Sequence, residues 1–158
     1  MKILIIGESC KDIFHYGLAK RMAPEAPVPV FNTKYISENG GMAMNVYNNI
    51  IALGYVPEIV TNKNWQSITK TRFVDASVNH MFMRLDQNDD KFLPCNIENF
   101  DFSKYDAVVV SDYDKGYLNE ELMKQISLNH NLTFLDTKRQ FGEWCENFTF
   151  IKVNYSEY

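Results

Sequence analysis

Polar side chains that could bind a ligand follow four apolar runs of this sequence, at residues 3–7, 107–110, 133–135 and 148–153. In a parallel α/β sheet, ligands gather where the strands end at their carboxyl termini. One Asp after a strand is more often a helix cap or a turn residue, but acids and amides after four strands together indicate a functional cleft. These residues are Glu8, Asp12, Ser111, Asp112, Asp114, Asp136, Lys138, Asn154 and Glu157.

Gly40 and Gly41 precede a helical pattern and form a second candidate feature. Backbone N–H groups without a neighbouring Cβ suit the close approach of a hydroxylated or anionic ligand. A simple tight turn explains the pair equally well. The sequence has no GxGxxG after its first strand, no GK[ST] and no GxSxG, which argues against a dinucleotide fold, a Walker loop and a hydrolase elbow.

The elements that would position these residues alternate between strands and helices. The four apolar runs and residues 57–61 predict strands, residues 42–53 predict a helix that Gly54 ends, and Asn119 is a predicted helix cap. Such alternation is typical of a three-layer, mostly parallel α/β sheet. With 158 residues, the chain has room for one domain.

A small β flap is predicted from segments that do not fit this alternation of strands and helices. Residues 23–29 contain three prolines, so they fit neither a helix interior nor a central strand. Residues 28–36 predict an edge strand, after which Gly40 and Gly41 are expected to break the chain. Residues 69–74 and 81–85 predict a hairpin.

Composition excludes some partners and compartments. The net charge of −4 argues against nucleic acid or an anionic membrane surface as the main partner. Cys10, Cys95 and Cys145 are widely spaced, which fits a reducing, cytoplasmic environment and offers no zinc-ligand spacing. The first apolar run is too short for a signal peptide or a membrane span.

Several motifs resemble those of PfkB/ribokinase-type carbohydrate kinases, in particular the heptose-phosphate kinases. Residues 21–30, RMAPEAPVPV, resemble the SPEAPVPV segment of those kinases, and residues 111–116, SDYDKG, resemble SDYxKG. Residues 40–45, GGMAMN, are similar to the GG…N motif. Further similarities are DTK at 136–138 to DPK, NYSE at 154–157 to NxxE, and residues 69–72 and 84–86 to the lid strands.

This resemblance implies roles for single residues and a sugar or sugar phosphate as ligand. Asp12 and Asn45 would bind sugar hydroxyls, Gly40 and Gly41 would pack against the sugar, and Lys115 and Lys138 would meet a phosphate. Asn154 and Glu157 would organise the Mg²⁺ that accompanies ATP. The flap, at approximately residues 24–38 and 69–86, would be the lid over the sugar.

The sequence also departs from the family pattern. Members of the family are longer and carry in their later half a GAGD motif, whose Asp activates the sugar hydroxyl; these 158 residues contain no GAGD. Between Gly54 and Thr69 a strand–helix segment is missing. Glu8 replaces an Asp, and Tyr47 a small residue. We therefore expect a truncated ribokinase-like domain that keeps the sugar-binding half without the nucleotide-binding half, and we assign no catalytic residue.

Three interpretations of function follow from this pattern. The chain is a fragment or one half of a split sugar kinase, a non-catalytic sugar-phosphate-binding or regulatory protein, or a remnant that serves as an interaction surface. We expect a homodimer formed through the flap, or a partner chain that supplies the missing half, because a bare parallel sheet rarely leaves its apolar faces open.

Overall fold

The computed structural model describes residues 1–97 and 100–154, which form two β-sheets and two α-helices. The five-stranded main sheet is parallel throughout. In sheet order its strands are β4 (Glu58–Val60), β1 (Ile3–Gly7), β7 (Ala107–Asp112), β8 (Thr133–Thr137) and β9 (Phe150–Lys152). The α/β class and the parallel sheet confirm the prediction from the apolar runs.

The second sheet, which we call the flap sheet, has four strands. In sheet order they are β3 (Pro29–Met42), β2 (Ser9–Met22), β5 (Thr69–Asp75) and β6 (Met81–Gln87). The helices are α1 (Ala43–Ala52) and α2 (Glu120–Asn129), and short 3₁₀ helices cover Trp65–Ser67, Phe102–Lys104 and Glu143–Cys145. No helix in the described ranges is long and apolar enough to cross a membrane.

The main sheet is covered on both faces near its centre. All five residues of β1 are buried, as its continuous apolar run predicts. One face packs with α2 in a core cluster that contains Leu4, Ile6, Val108, Val110, Leu135, Met123 and Ile126. On the other face, a Cβ added to Gly7 would lie 3.1 Å from the Cβ of Ala43, so α1 packs closely there. The helices therefore lie on opposite faces, which gives three layers.

The start of α2 is capped as predicted. The Asn119 side chain accepts a hydrogen bond from the Leu122 N–H at 2.8 Å, and Glu120 and Glu121 lie in the first turn. These acidic side chains face the positive end of the helix dipole.

The flap sheet differs from its prediction in two places. Residues 9–22, for which we predicted no strand, form β2 at the centre of the sheet, paired with β3 and β5. Gly40 and Gly41 do not break the chain but lie inside β3, opposite Lys11 and Cys10. The hairpin of β5 and β6 is confirmed.

The glycine pair has a steric reason for its place in β3. A Cβ on Gly41 would lie 2.5 Å from Asp12 Oδ2, and one on Gly40 would lie 2.0 Å from Met44 Cγ. Both distances are far below van der Waals contact. The two glycines therefore make room for neighbouring side chains within a continuous strand.

Candidate functional site

A pocket of about 380 Å³ lies between the inner face of the flap sheet and the loop after β7. We call it the inter-sheet pocket. It lies where β1 and β7 end, the position at which parallel α/β sheets bind ligands. Its lining residues are Asp12, Met42, Lys70, Arg72, Arg84, Asp86, Asp89, Tyr113, Lys115 and Lys138.

The flap sheet presents a row of charged side chains to this pocket. Asp12 is opposite Lys70, which is opposite Asp86, and Arg72 is opposite Arg84. Because directly paired residues and residues two apart in a strand share a face, all five point to the same side. Because side chains alternate between the two faces of a strand, these residues make the inner face of the flap sheet polar.

These charges are paired with one another. Arg72 Nη1 donates to Asp12 Oδ1 at 2.6 Å, and the Arg72 guanidinium lies 5.0 Å from the centre of the Phe14 ring. Arg84 donates to both oxygens of Asp86, at 2.7 and 2.8 Å. The two guanidiniums are therefore fixed in orientation by carboxylates of the flap sheet itself.

A carboxylate links the flap sheet to the main sheet. Asp89, just after β6, accepts hydrogen bonds from Lys70 of β5 through Oδ1 and from Lys115 of the β7 loop through Oδ2. The Lys70 side chain is only 9% exposed, so its charge needs a partner of this kind.

The loop that carries Lys115 is held by a buried glutamate. Glu8 has no exposed surface, and its carboxylate accepts the N–H groups of Tyr113 at 3.0 Å and Lys115 at 3.1 Å. Burial raises the pKa of Glu8, and the nearby Asp112 adds to this effect, although the Tyr113 and Lys115 N–H groups oppose it. Glu8 thus ties the end of β1 to the pocket wall.

Three residues with positive φ angles stand in or beside the pocket lining. Met42, where β3 meets α1, has φ of 60°, Asn88, which precedes Asp89, has φ of 57°, and Asp114, which precedes Lys115, has φ of 55°. Such angles are unfavourable for residues with a side chain and often mark functional sites.

The structure brings together some of the predicted site residues. Asp12, Lys115 and Lys138 line the inter-sheet pocket, and Gly41 lies against Asp12. Gly40 lines a different cavity of about 490 Å³, beside Lys11 and Trp65. Asn45 is exposed on α1 and does not line the inter-sheet pocket.

Of the two residues predicted near Mg²⁺, Asn154 and Glu157, only Asn154 is among the described residues. Asn154 is exposed, two residues beyond β9. Glu157 lies outside the described residues. Five charged residues of the pocket were not among the predicted site residues, namely Lys70, Arg72, Arg84, Asp86 and Asp89. Charges spaced two apart in a strand, as at Lys70 and Arg72, are the signal that could have identified most of them.

No protein-family model matches the chain. Among curated proteins it is 33% identical to the bifunctional protein HldE of Helicobacter pylori strain HPAG1, over an alignment of 192 positions. That alignment covers 99% of this chain and 42% of the relative, so the chain spans about two fifths of that relative's length.

Solved structures of the ribokinase family share the fold. A nucleoside kinase of Methanocaldococcus jannaschii, an archaeal member of that family, superposes with a TM-score of 0.61 at 14% identity, covering 99% of this chain and 61% of the other. Arabidopsis thaliana ribokinase, solved with ribose and ATP, has a TM-score of 0.58 at 8% identity, covering 98% and 60%. The chain therefore has the ribokinase-like fold and is similar in sequence to part of HldE, and it spans only part of the length of the proteins it matches.

Proposed function

We propose that this chain binds a phosphorylated sugar in the inter-sheet pocket and forms the sugar-binding part of a carbohydrate kinase. One observation carries the proposal: five basic side chains and three carboxylates line a single pocket at the ends of the central strands. Cations in a concave site suit a phosphate, and carboxylates suit sugar hydroxyls.

The two kinds of charge are arranged for a ligand with two different ends. Asp12 lies at the base of the flap sheet beside Gly41, where a hydroxyl could donate to its carboxylate. Lys115 and Lys138 extend from loops of the main sheet, and Arg84 lies on the flap. A sugar phosphate such as a heptose phosphate, the ligand implied by the resemblance, has this combination of groups.

Phosphoryl transfer needs parts that we do not assign to these residues. Catalysis of this reaction depends on positioning and on stabilising the transferred charge. The 158 residues contain no GAGD, and no three His, Cys, Asp or Glu side chains in the described part of the chain are grouped to hold a metal ion. No step is therefore assigned to Mg²⁺ or ATP, and we expect the isolated chain to bind the sugar phosphate without phosphorylating it.

We further propose that the flap pairs with a second copy of the chain in the cytoplasm. The outer face of the flap sheet, opposite the charged row, carries Ile36, Met83 and Leu85, which are 53%, 53% and 45% exposed. Exposed apolar side chains on one face of a sheet favour association. A partner chain with the remainder of the kinase is the alternative occupant.

Titration calorimetry with a heptose or hexose phosphate tests the proposed function. We expect binding to the wild type, and we expect Asp12→Asn to weaken it by about 1–3 kcal/mol because a buried hydrogen bond to the sugar is lost. Asp90→Asn, an equal charge change at an exposed position outside the pocket, should bind like the wild type. An ATP-coupled assay on the same samples should show no turnover. Equal affinities for all three proteins would place the site elsewhere.

A further inference from the structure

Asp89 stands at the junction of the two sheets. It follows β6 by two residues, and its two oxygens contact two different lysines. Lys70 belongs to the flap sheet, whereas Lys115 belongs to the loop after β7 of the main sheet. The Asp89 carboxylate therefore joins the flap-sheet side of the pocket to the main-sheet side through two ion pairs.

This bridge places a negative charge where a phosphate would find its best partners. The pocket contains Lys70, Arg72, Arg84, Lys115 and Lys138, but Arg72 and Arg84 are directed at Asp12 and Asp86. The Lys115 ammonium is 2.6 Å from Asp89 and is 35% exposed, so it can be reached from solvent. An entering anion must compete with the Asp89 carboxylate for both lysines, and also with Asp86, whose Oδ2 lies 3.5 Å from Lys70 Nζ.

The backbone around Asp89 is anchored independently of the lysines. The Asn88 side chain donates to the Ser67 carbonyl at 2.8 Å, and the Lys91 N–H donates to the Asn88 carbonyl at 3.0 Å. The Asn64 side chain donates to the Lys91 carbonyl at 2.7 Å. Because these bonds hold the turn in place, the carboxylate can leave the lysines by rotating its side chain, without unfolding the turn.

The protonation state of Asp89 supports this role. Burial raises its pKa, but the contacts with Lys115 and Lys70 outweigh burial and lower the pKa below its ordinary value. The residue is therefore an anion at neutral pH.

We propose that Asp89 occupies the phosphate position of the free protein and that a phosphorylated sugar displaces it, replacing a carboxylate bridge between the sheets with a phosphate bridge. This inference rests on the proposed function and deepens it. A phosphate has enough oxygens to contact both lysines at once and brings negative charge, whereas a neutral sugar can accept a hydrogen bond from a lysine but cannot replace the charge of the carboxylate. Asp89 thus makes the pocket favour phosphorylated sugars over neutral ones.

The test compares Asp89→Asn with Asp90→Asn, which removes the same charge one residue further along, at an exposed position. Calorimetry at fixed ionic strength, with inorganic phosphate as the probe, should show binding about tenfold tighter for Asp89→Asn than for the wild type, because a competing partner of two lysines is gone. Asp90→Asn should match the wild type within about twofold. A thermal melt of each variant checks that both are folded.

Hydrogen exchange gives a second measure on the same proteins. Without phosphate, amides of β5 and β6 should exchange faster in Asp89→Asn than in the wild type, because the link to the main sheet is lost. Added phosphate should restore the protection. Asp90→Asn should show neither change.

The outcomes separate this inference from the proposed function. Tighter phosphate binding and phosphate-restored protection in Asp89→Asn alone support displacement. Phosphate binding to the wild type that is equal or weaker in Asp89→Asn overturns the inference and leaves the proposed function standing, since Asp89 would then only order the lysines. Absence of phosphate binding to both proteins overturns the proposed function together with the inference.

Discussion

The two sheets of this protein are built on opposite principles. Every residue of β1 in the main sheet is buried, whereas every residue of β6 in the flap sheet is exposed. The main sheet is stabilised by apolar burial on both faces. The flap sheet is stabilised by its ladder of backbone bonds and by pairs of side chains across neighbouring strands, such as Tyr16 on Tyr35 with ring centres 4.8 Å apart.

This difference shows how one chain separates stability from recognition. Most charges on the inner face of the flap sheet cost little because those side chains are partly exposed and paired, and the more buried Lys70 is paired with two carboxylates. The same charges within the main sheet would need full desolvation. The polar half of the pocket is therefore carried by the sheet that contributes least to the core.

The comparison is tested most strongly by the same substitution in each sheet. Leu135→Ala in β8, where the side chain is 1% exposed, should lower the free energy of unfolding by about 2–5 kcal/mol, because it leaves a cavity in the core. Leu85→Ala in β6, where the side chain is 45% exposed, should cost less than about 1 kcal/mol. Urea unfolding of both variants measures this, and equal losses would refute the division between the sheets.

A smaller effect is expected where the two sheets meet. Glu8→Gln should cost about 1–3 kcal/mol in the free energy of unfolding, because an amide cannot accept both N–H groups of the loop after β7. Glu25→Gln, at an exposed position in the flap, should cost almost nothing.

The pH dependence of the Glu8→Gln cost has a definite sign. The folded pKa of Glu8 lies above its ordinary value of 4.5, so ionisation is less favourable in the folded state than in the unfolded one. The part of the stability that comes from the raised pKa is fully present below the ordinary value and is lost as the pH rises through the folded pKa. The cost of Glu8→Gln should therefore be larger at about pH 4 than at about pH 8. A cost that grows with pH would show that Glu8 favours its ionised form.

The smallest effect concerns exposed apolar residues. Met83→Lys on the outer face of the flap sheet should weaken self-association by about tenfold, because a charge would enter an apolar contact. Phe150→Lys on β9, where the side chain is also exposed, serves as the matched change on the main sheet and should leave association unaltered. Light scattering over a micromolar concentration series measures both, and a wild type that stays monomeric would reject the dimer.

The main sheet could be predicted from the sequence because both faces of its central strands are buried, and a run such as residues 3–7 is apolar throughout. The strand β2 escaped prediction because it carries Lys11, Asp12 and His15 on two partly exposed faces, so no apolar alternation marks it. The resemblance identified Asp12, Lys115 and Lys138, which the fold then brings into one pocket. Asp89 could not be identified, because its contacts with Lys70 and Lys115 depend on how the two sheets meet.

The hairpin of β2 and β3 leaves the main sheet and returns to it at a single point. Only Glu8 separates β1 from β2, and the residues at the two ends of the hairpin, Ser9 and Met42, are paired with each other. The Glu8 carbonyl also accepts the N–H of Ala43, the first residue of α1, at 2.8 Å. The end of β1 and the start of α1 are therefore in direct contact at the base of the hairpin. The hairpin is arranged as an insertion between these two elements. Its outer end could be shortened, lengthened or exchanged for that of another protein while the register of β1 against α1 stayed the same.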